Sequence, residues 1–360
     1  MAKIYDASLI GKKQSVVDEI LLLNPHQTPL LSLIGFGEAV TQTTHQWFED
    51  EMVADETTVN GAKLVSDTSV VVVDGSIFRA NDVIKIGEEL IKVTAVSTNT
   101  LTIVRGYAGT TAAAIADGAK VEFMFSEGVE GADARAARYK ARNGVSNYTQ
   151  IFDDSIEISG TAEAVQQYGI SDLYEYEKQK KQLELALQLE KALINGVSYQ
   201  NGQIRQMKGI RQFIQSNVTN VSGELTMNAV NDLAQKIYEK GGFATGGDYK
   251  VIVGAKQKRN LSALDTNKVQ IGRSENARGE VVDTLINDFG EFEIALNNNL
   301  AADELLLVDV NRTSIRPLVG RDFFHKYMGE KGDYTTGIVV GEYTLEFKQE
   351  KAHGRLKGLS

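Results

Sequence analysis

Cysteine is absent from the 360-residue chain. That absence excludes disulfides, thiolate zinc sites, iron–sulfur clusters and cysteine nucleophiles. Histidine is scarce: His26, His45, His325 and His353 are scattered, and no two stand at i, i+4 spacing, so no metal site is expected from them. Pro25, Pro29 and Pro317 are the only prolines. No run of about 18 apolar residues occurs, so no helix is expected to span a membrane. The opening Met1-Ala2-Lys3-Ile4-Tyr5-Asp6 lacks the apolar centre of a signal peptide. Positive charge is in deficit, with 38 Lys and Arg against 48 Asp and Glu and a formal net charge of −10. Surfaces that grip phosphates are usually basic, so a tightly held nucleic acid is not expected.

Catalytic signatures are missing as well. There is no G-x-x-x-x-G-K-[ST] phosphate cradle and no G-x-S-x-G nucleophile elbow. Gly35-Phe36-Gly37 lacks the third glycine of a dinucleotide fingerprint. The neighbouring carboxylates Glu49-Asp50-Glu51, Glu88-Glu89 and Asp153-Asp154 alternate faces if they lie on strands, so they read as solvated loop charge. No EF-hand pattern is present. No enzyme activity and no cofactor is expected.

What the chain does have is an ordinary globular composition: 42% hydrophobic and 24% charged residues, with 33 glycines marking many turns. Its length predicts two or three compact units. Residues 1–40 read as an arm, with a short helix over 15–23 stopped at Asn24-Pro25. Residues 41–52 alternate as a strand around Trp47 and Phe48. From 56 to 126 the texture becomes rich in Val, Ile and Thr. Runs at 70–73, 83–86, 90–96, 101–104 and 121–125 predict five strands, separated by Asp74-Gly75, Asn81-Asp82, Ile86-Gly87-Glu88 and Thr98-Asn99. This is the rhythm of a small β-barrel or sandwich, inserted into another fold.

A basic stretch follows, with Arg135, Arg138, Lys140 and Arg142 around Tyr139. In so acidic a chain it is expected to meet an acidic patch on a neighbouring subunit. Residues 151–159 alternate as a strand. A helix of about 35 Å is predicted from Ser171 to Ile194, stopped by Asn195-Gly196. Glu177 and Lys181 can pair on it at i, i+4, and Leu183, Leu185, Ala186, Leu187, Leu189, Leu193 and Ile194 form a wide apolar face. A second helix over 227–240 carries the stripe Val230, Leu233, Ile237 and Tyr238 and ends at Gly241-Gly242. Residues 256–264 predict a short helix. Strands are predicted at 249–253, 281–286, 292–296, 305–308, 337–340 and 342–348. The main body is therefore mixed α+β.

The order of segments, and certain residues within them, carry a resemblance. Asn143-Gly144-Val145-Ser146-Asn147-Tyr148-Thr149-Gln150-Ile151-Phe152, Ile158-Ser159-Gly160-Thr161-Ala162, Leu193-Ile194-Asn195-Gly196, Val253-Gly254-Ala255-Lys256-Gln257-Lys258 and Gly341-Glu342-Tyr343-Thr344-Leu345-Glu346 resemble tailed-phage major capsid proteins with the Hong Kong 97-like fold. Residues 56–126 lie outside that likeness. Through Leu101-Thr102-Ile103-Val104-Arg105-Gly106 and Gly109-Thr110-Thr111 they resemble small β-domains of phage virion proteins.

The resemblance implies a division into parts. Residues 1–40 would be an N-terminal arm, 41–55 with 127–155 an extended loop, and 56–126 an inserted β-domain. Residues 156–204 with 331–360 would be a peripheral domain, and 205–330 an axial domain. It also implies a chain that assembles with itself into hexamers and pentamers, in the host cytoplasm, to become the shell of a virion. A separate scaffolding protein, a portal and a decoration protein would be its partners. Packaged DNA would be met only by proximity. An extended loop cannot bury both faces in its own subunit, so Trp47, Phe48, Arg135, Arg138, Tyr139 and Phe152 are the expected inter-subunit contacts. An encapsulin-type compartment shell, and a glycan-binding or hydrolytic β-protein, are the alternative readings.

Overall fold

The computed structural model describes residues 28–128, 130–131, 133–135, 137–165, 170, 172–243, 247–264, 284–330 and 332–360. The helix expected over 15–23 and the cap expected at Ser171 lie outside the described residues. In chain order the elements begin with α1 (Pro29–Ile34), β1 (Thr44–Glu49), β2 (Glu56–Thr58), β3 (Ser69–Val71), β4 (Asp82–Ile86), β5 (Glu89–Ser97), β6 (Thr100–Val104) and β7 (Lys120–Ser126). Then follow β8 (Asn143–Tyr148), β9 (Gln150–Ser159), α2 (Gly160–Ala164), α3 (Leu173–Asn195), β10 (Tyr199–Asn201), β11 (Ile204–Gln206), α4 (Ile210–Phe213), β12 (Val218–Gly223) and α5 (Met227–Glu239). The chain closes with β13 (Tyr249–Val253), α6 (Ala255–Ala263), β14 (Thr284–Asn287), β15 (Gly290–Leu296), β16 (Leu305–Asp309), β17 (Thr313–Pro317), β18 (Phe324–Glu330), β19 (Tyr334–Phe347) and β20 (Gly354–Leu359). Two compact units result: Phe48–Gly144, and Met1–Trp47 with Val145–Ser360.

The smaller unit is built on a six-stranded antiparallel sheet in the order β2-β7-β4-β5-β6-β3. Its two edges meet. Asn60 N–H donates to the Val71 carbonyl (2.8 Å) and Val73 N–H to that of Thr58 (3.0 Å), so the sheet closes into a barrel. Closure leaves no open edge. Five of its strands follow the predicted runs. The sixth, β2, is three residues long and its apolar pattern is too short to read. The inward positions Val70, Val72, Ile84, Ile86, Ile91, Val93, Leu101, Ile103 and Val121 are buried, as period-two alternation requires. Gly75 is required by a close approach: a Cβ there would overlap the Thr98 carbonyl, at the tip of the β5–β6 hairpin.

One pair of adjacent acids departs from the expectation of solvated charge. Glu88 is exposed, but Glu89 is buried beside Arg105, which reaches it through Nε (2.8 Å) and Nη2 (2.7 Å). Gly106 N–H and Ala113 N–H donate to the same carboxylate. Burial works to raise the Glu89 carboxyl, but these hydrogen bonds outweigh it and hold it below its ordinary range. Arg105-Gly106 therefore staples the loop at 105–113 to the barrel wall.

The larger unit is organised around two large sheets. One is six-stranded in the order β12-β20-β16-β13-β15-β14. Its central runs Val251-Ile252-Val253 and Leu305-Leu306-Leu307-Val308 are apolar throughout because both faces are covered. Ile252, Leu306 and Val308 join one core, and Val251, Val253, Leu305 and Leu307 the other. Val230, Leu233, Ala234 and Ile237 of α5 seal the second core. Tyr238, expected in that stripe, is exposed. α5 ends in a left-handed Gly241, with Gly242 N–H returning to the Ile237 carbonyl and Gly241 N–H to that of Tyr238.

The second sheet is organised by β19. β9 pairs along one edge, and β18 and β17 share the other. Two strands were expected here, at 337–340 and 342–348, but the structure has one of fourteen residues. Gly341 does not break it. A Cβ at that position would press on the Phe323 ring, so this glycine serves packing rather than a turn. The division expected at 330/331 also differs from the sheets, which join 313–330 to β19 and 354–359 to the other sheet.

α3 is the spine of this unit. Asp172 caps it by accepting from Glu175 N–H (3.0 Å). Leu185, Leu189 and Leu193, with Glu190 and Ile194, form its buried face; Leu183 and Leu187 lie off it. Lys181 pairs with Asp154 (2.9 Å) and Glu184 (3.0 Å) rather than with Glu177. Gly196 ends the helix at φ −55°, so left-handed geometry is not the reason for it. A Cβ there would overlap the Ala192 and Met207 carbonyls, where the returning chain at Gly209 crosses.

Candidate assembly surfaces

Segments 48–55 and 137–144 run side by side, continuing the two-stranded ladder of β1 and β8. Lys140 Nζ lies 2.5 Å from Glu51 Oε2 and Arg142 Nε 3.3 Å from Asp50 Oδ2. The basic stretch and the acidic run thus neutralise each other inside one chain. That differs from the expected pairing with a neighbour's acids. Arg138 donates to the Ile77 carbonyl (2.7 Å) and lies over the Phe123 ring, 4.9 Å from its centroid. Arg135 is exposed.

The large apolar residues of these segments and their flanks divide sharply. Phe48 is 72% exposed, Met52 92% and Tyr139 87%. Trp47 and Phe152 are buried in their own chain, Trp47 with its ring 6.0 Å from Phe213. Those two were expected to need a partner's surface. They do not, because β1 and β9 each turn one face onto the spine core and alternation carries Trp47 and Phe152 inward.

The root of the two segments is fixed by polar groups. His45 lies 2.8 Å from Glu346. Thr149 donates to Glu342 (2.6 Å), which also meets Arg205 (3.0 Å) and Arg321 (2.8 Å). The Asn147 side chain donates to the Lys208 and Leu345 carbonyls and accepts from Lys208 N–H. Burial works to raise the Glu346 carboxyl, but Lys348, His45 and Arg316 outweigh it and hold it below the ordinary range.

The segment at α1 is anchored at a second buried acid. Glu190 of α3 accepts from Leu30 N–H (2.9 Å), Leu31 N–H (3.0 Å) and the Asn297 side chain (2.6 Å). Burial pushes its carboxyl up, against those three hydrogen bonds. Beyond α1 the arm adds to the edge of β17, with Gly37 N–H donating to Ile315 and Val40 N–H to Pro317. Sequence reasoning missed Glu190, Glu342 and Glu346, because an acid inside an apolar run reads as a solvent-facing position.

Among the described residues, no three His, Asp or Glu side chains converge as a metal site, and no helix is long and apolar enough to cross a membrane. The candidate surface is the set of exposed apolar side chains Phe48, Met52 and Tyr139.

Comparison with known proteins agrees with that character. A search of curated proteins finds no match. Among solved structures, the cyanophage A-1(L) capsid subunit is similar at a TM-score of 0.55 and 9% identity, covering 98% of each chain. The capsid of an empty GTA particle is similar at a TM-score of 0.54 and 10% identity, over 99% of this chain and 97% of that one. The Mycobacterium phage Adephagia chain is similar at 0.53 and 11%, over 99% and 98%. At such identities these likenesses establish the fold, which is the Hong Kong 97-like capsid fold. A family profile described as SU10 major capsid protein matches residues 3–360, so the chain belongs to the SU10 major capsid protein family.

Proposed function

We propose that the paired segments 41–55 and 127–155 form an extended loop that lies on a neighbouring copy in the shell, with Phe48, Met52 and Tyr139 as its apolar contacts. As a major capsid protein the chain works by self-assembly into a virion shell and not by catalysis. The observation that carries the loop reading is the combination of three large exposed apolar side chains with a root pinned by His45–Glu346 and Thr149–Glu342. A loose loop would gain nothing from such a root, whereas a lever needs one. Repeated weak contacts of this kind give a stable shell through closure.

In this reading residues 1–40 are the arm, and the sheet of β9, β17, β18 and β19 with α3 is the peripheral domain. The sheet of β12 to β16 with β20 is the axial domain. The barrel at 56–126 faces outward and clamps neighbours laterally. Hexamers and pentamers of the chain meet a scaffolding protein during assembly, a portal at one vertex, and a decoration protein outside. Packaged DNA is met by proximity alone.

Phe48→Ala with Tyr139→Ala tests the loop. Both side chains are exposed, so the soluble chain should keep its melting temperature while shells form poorly. Shells of normal yield and thermal stability from the double variant would overturn the loop reading. Replacement of 57–125 by a short Gly-Ser linker tests the barrel separately. Assembly should persist, with shells that are thinner outside and come apart at lower temperature.

A further inference from the structure

The two halves of α3 are held in different ways. All its buried residues lie from Leu185 onward, and none of residues 173–184 is buried. A helix half without a buried apolar face is docked only weakly by the hydrophobic effect. What holds it is a small set of contacts near its start. Leu173 touches the rim of the spine core. The Tyr174 hydroxyl lies 2.8 Å from His325 Nε2 on β18, and its ring meets those of His325 (5.6 Å) and Tyr327 (6.0 Å) edge-on. Lys181 bonds Asp154 on β9. The seat for Tyr174 is purpose-made: a Cβ at Gly337 on β19 would overlap its hydroxyl.

We propose that the Tyr174–His325 pair is a pH-released pin that holds the amino-terminal half of the spine helix on the sheet. With the neutral ring protonated at Nδ1, Nε2 accepts from the Tyr174 hydroxyl. A protonated ring must donate from Nε2 instead, which forces the hydroxyl to turn and leaves a partly buried cation in the seat. The groups around it are Glu175 and Lys178 from α3 and Tyr327 from β18; Gly337 of β19 offers no side chain. Partial burial, and then the Lys178 charge, hold His325 below its ordinary value of 6.5, with Glu175 opposing in part. A depressed histidine stabilises the docked state fully above the unperturbed value and loses that contribution as pH falls through the depressed one. The pin therefore holds at neutral pH and weakens in acid.

Amide hydrogen exchange on the full-length, unassembled chain tests this, with segment 185–195 as internal reference. After correction for intrinsic exchange, segment 173–184 should exchange faster at about pH 5.5 than at about pH 7.5, by up to the roughly tenfold ceiling that an ordinary imidazole sets at that pH, while 185–195 stays unchanged. His325→Gln keeps an amide for the hydroxyl but does not titrate, so the pH step should vanish. Tyr174→Phe removes the bond but leaves His325 to titrate, so it should raise exchange of 173–184 at both pH values, which keeps the test decisive if His325→Gln is insoluble. A flat wild-type profile, a full step in His325→Gln, or unchanged protection in Tyr174→Phe would overturn the proposal. The measurement reads one chain, so its outcome is separate from that of the shell reading.

Discussion

Leu189 and Leu187 sit two residues apart on the spine helix, and the structure gives them different weights. Leu189 is fully buried in the core with Phe152, Phe213 and Leu345, whereas Leu187 is only half-buried. Transfer of a leucine side chain out of water contributes about 2 kcal/mol, and the cavity left by truncation adds to the loss. Leu189→Ala should therefore cost about 3 kcal/mol, and Leu187→Ala about 1 kcal/mol, since part of its surface already meets water and no closed cavity is left. The assay is urea unfolding of the unassembled chain, because assembly would add its own stabilisation by mass action. Trp47, the single tryptophan, packs in the same core and reports its loss by fluorescence. The midpoint for Leu189→Ala should fall well below that for Leu187→Ala, with an unchanged slope. Equal losses, or a larger one at Leu187, would refute the register assigned to the helix.

Two further outcomes follow from buried ionisable groups. Glu190→Ala strands the Leu30 and Leu31 N–H groups and the Asn297 amide, at about 1–3 kcal/mol for each unmet donor, so α1 should come loose. Limited proteolysis within 28–40 should be faster in that variant and unchanged elsewhere; an arm that stays protected would contradict the anchor. His353 is buried, accepts Asp309 N–H at Nδ1 and lies against the Lys348 carbonyl, and burial pulls its pKa down to about 3. Its stabilising contribution is complete above the unperturbed value near 6.5 and drains away as pH falls toward the folded value. The urea midpoint should drop across that interval, and His353→Gln should show a shallower drop; identical pH slopes would refute the assignment.

The parts of the fold legible in the sequence are those where one face is apolar and the other polar. The barrel strands, α5 and the C-terminal half of α3 are of this kind, since Val70, Val230 and Leu189 recur at the right period. Doubly covered runs such as Leu305-Leu306-Leu307-Val308 were legible as strands. Short or polar elements were not. The β10–β11 hairpin and β18 pair with the strand next in sequence but bury almost nothing, so no apolar alternation announces them, and β17 takes its place from pairing with β19. β19 was split in two because Gly341 reads as punctuation, whereas its role is to admit Phe323. Of the residues expected at subunit contacts, Phe48 and Tyr139 are exposed, whereas Trp47 and Phe152 are buried in their own chain. Neither could be resolved without knowing which face of β1 and β9 meets the spine. The acids that fix the arm and the loop root were invisible, because their partners lie more than 100 positions away: Glu190 holds Leu30, and Glu346 holds His45.

The central claim is that this chain is a shell subunit, and cryo-electron microscopy of the purified protein, alone and with a candidate scaffolding protein, tests it most directly. Closed shells, tubes, sheets or isolated hexamers and pentamers are the predicted result, with density for 48–55 and 137–144 resting on an adjacent copy. A chain that stays strictly monomeric under both conditions, checked by analytical ultracentrifugation over a range of concentrations, would contradict it.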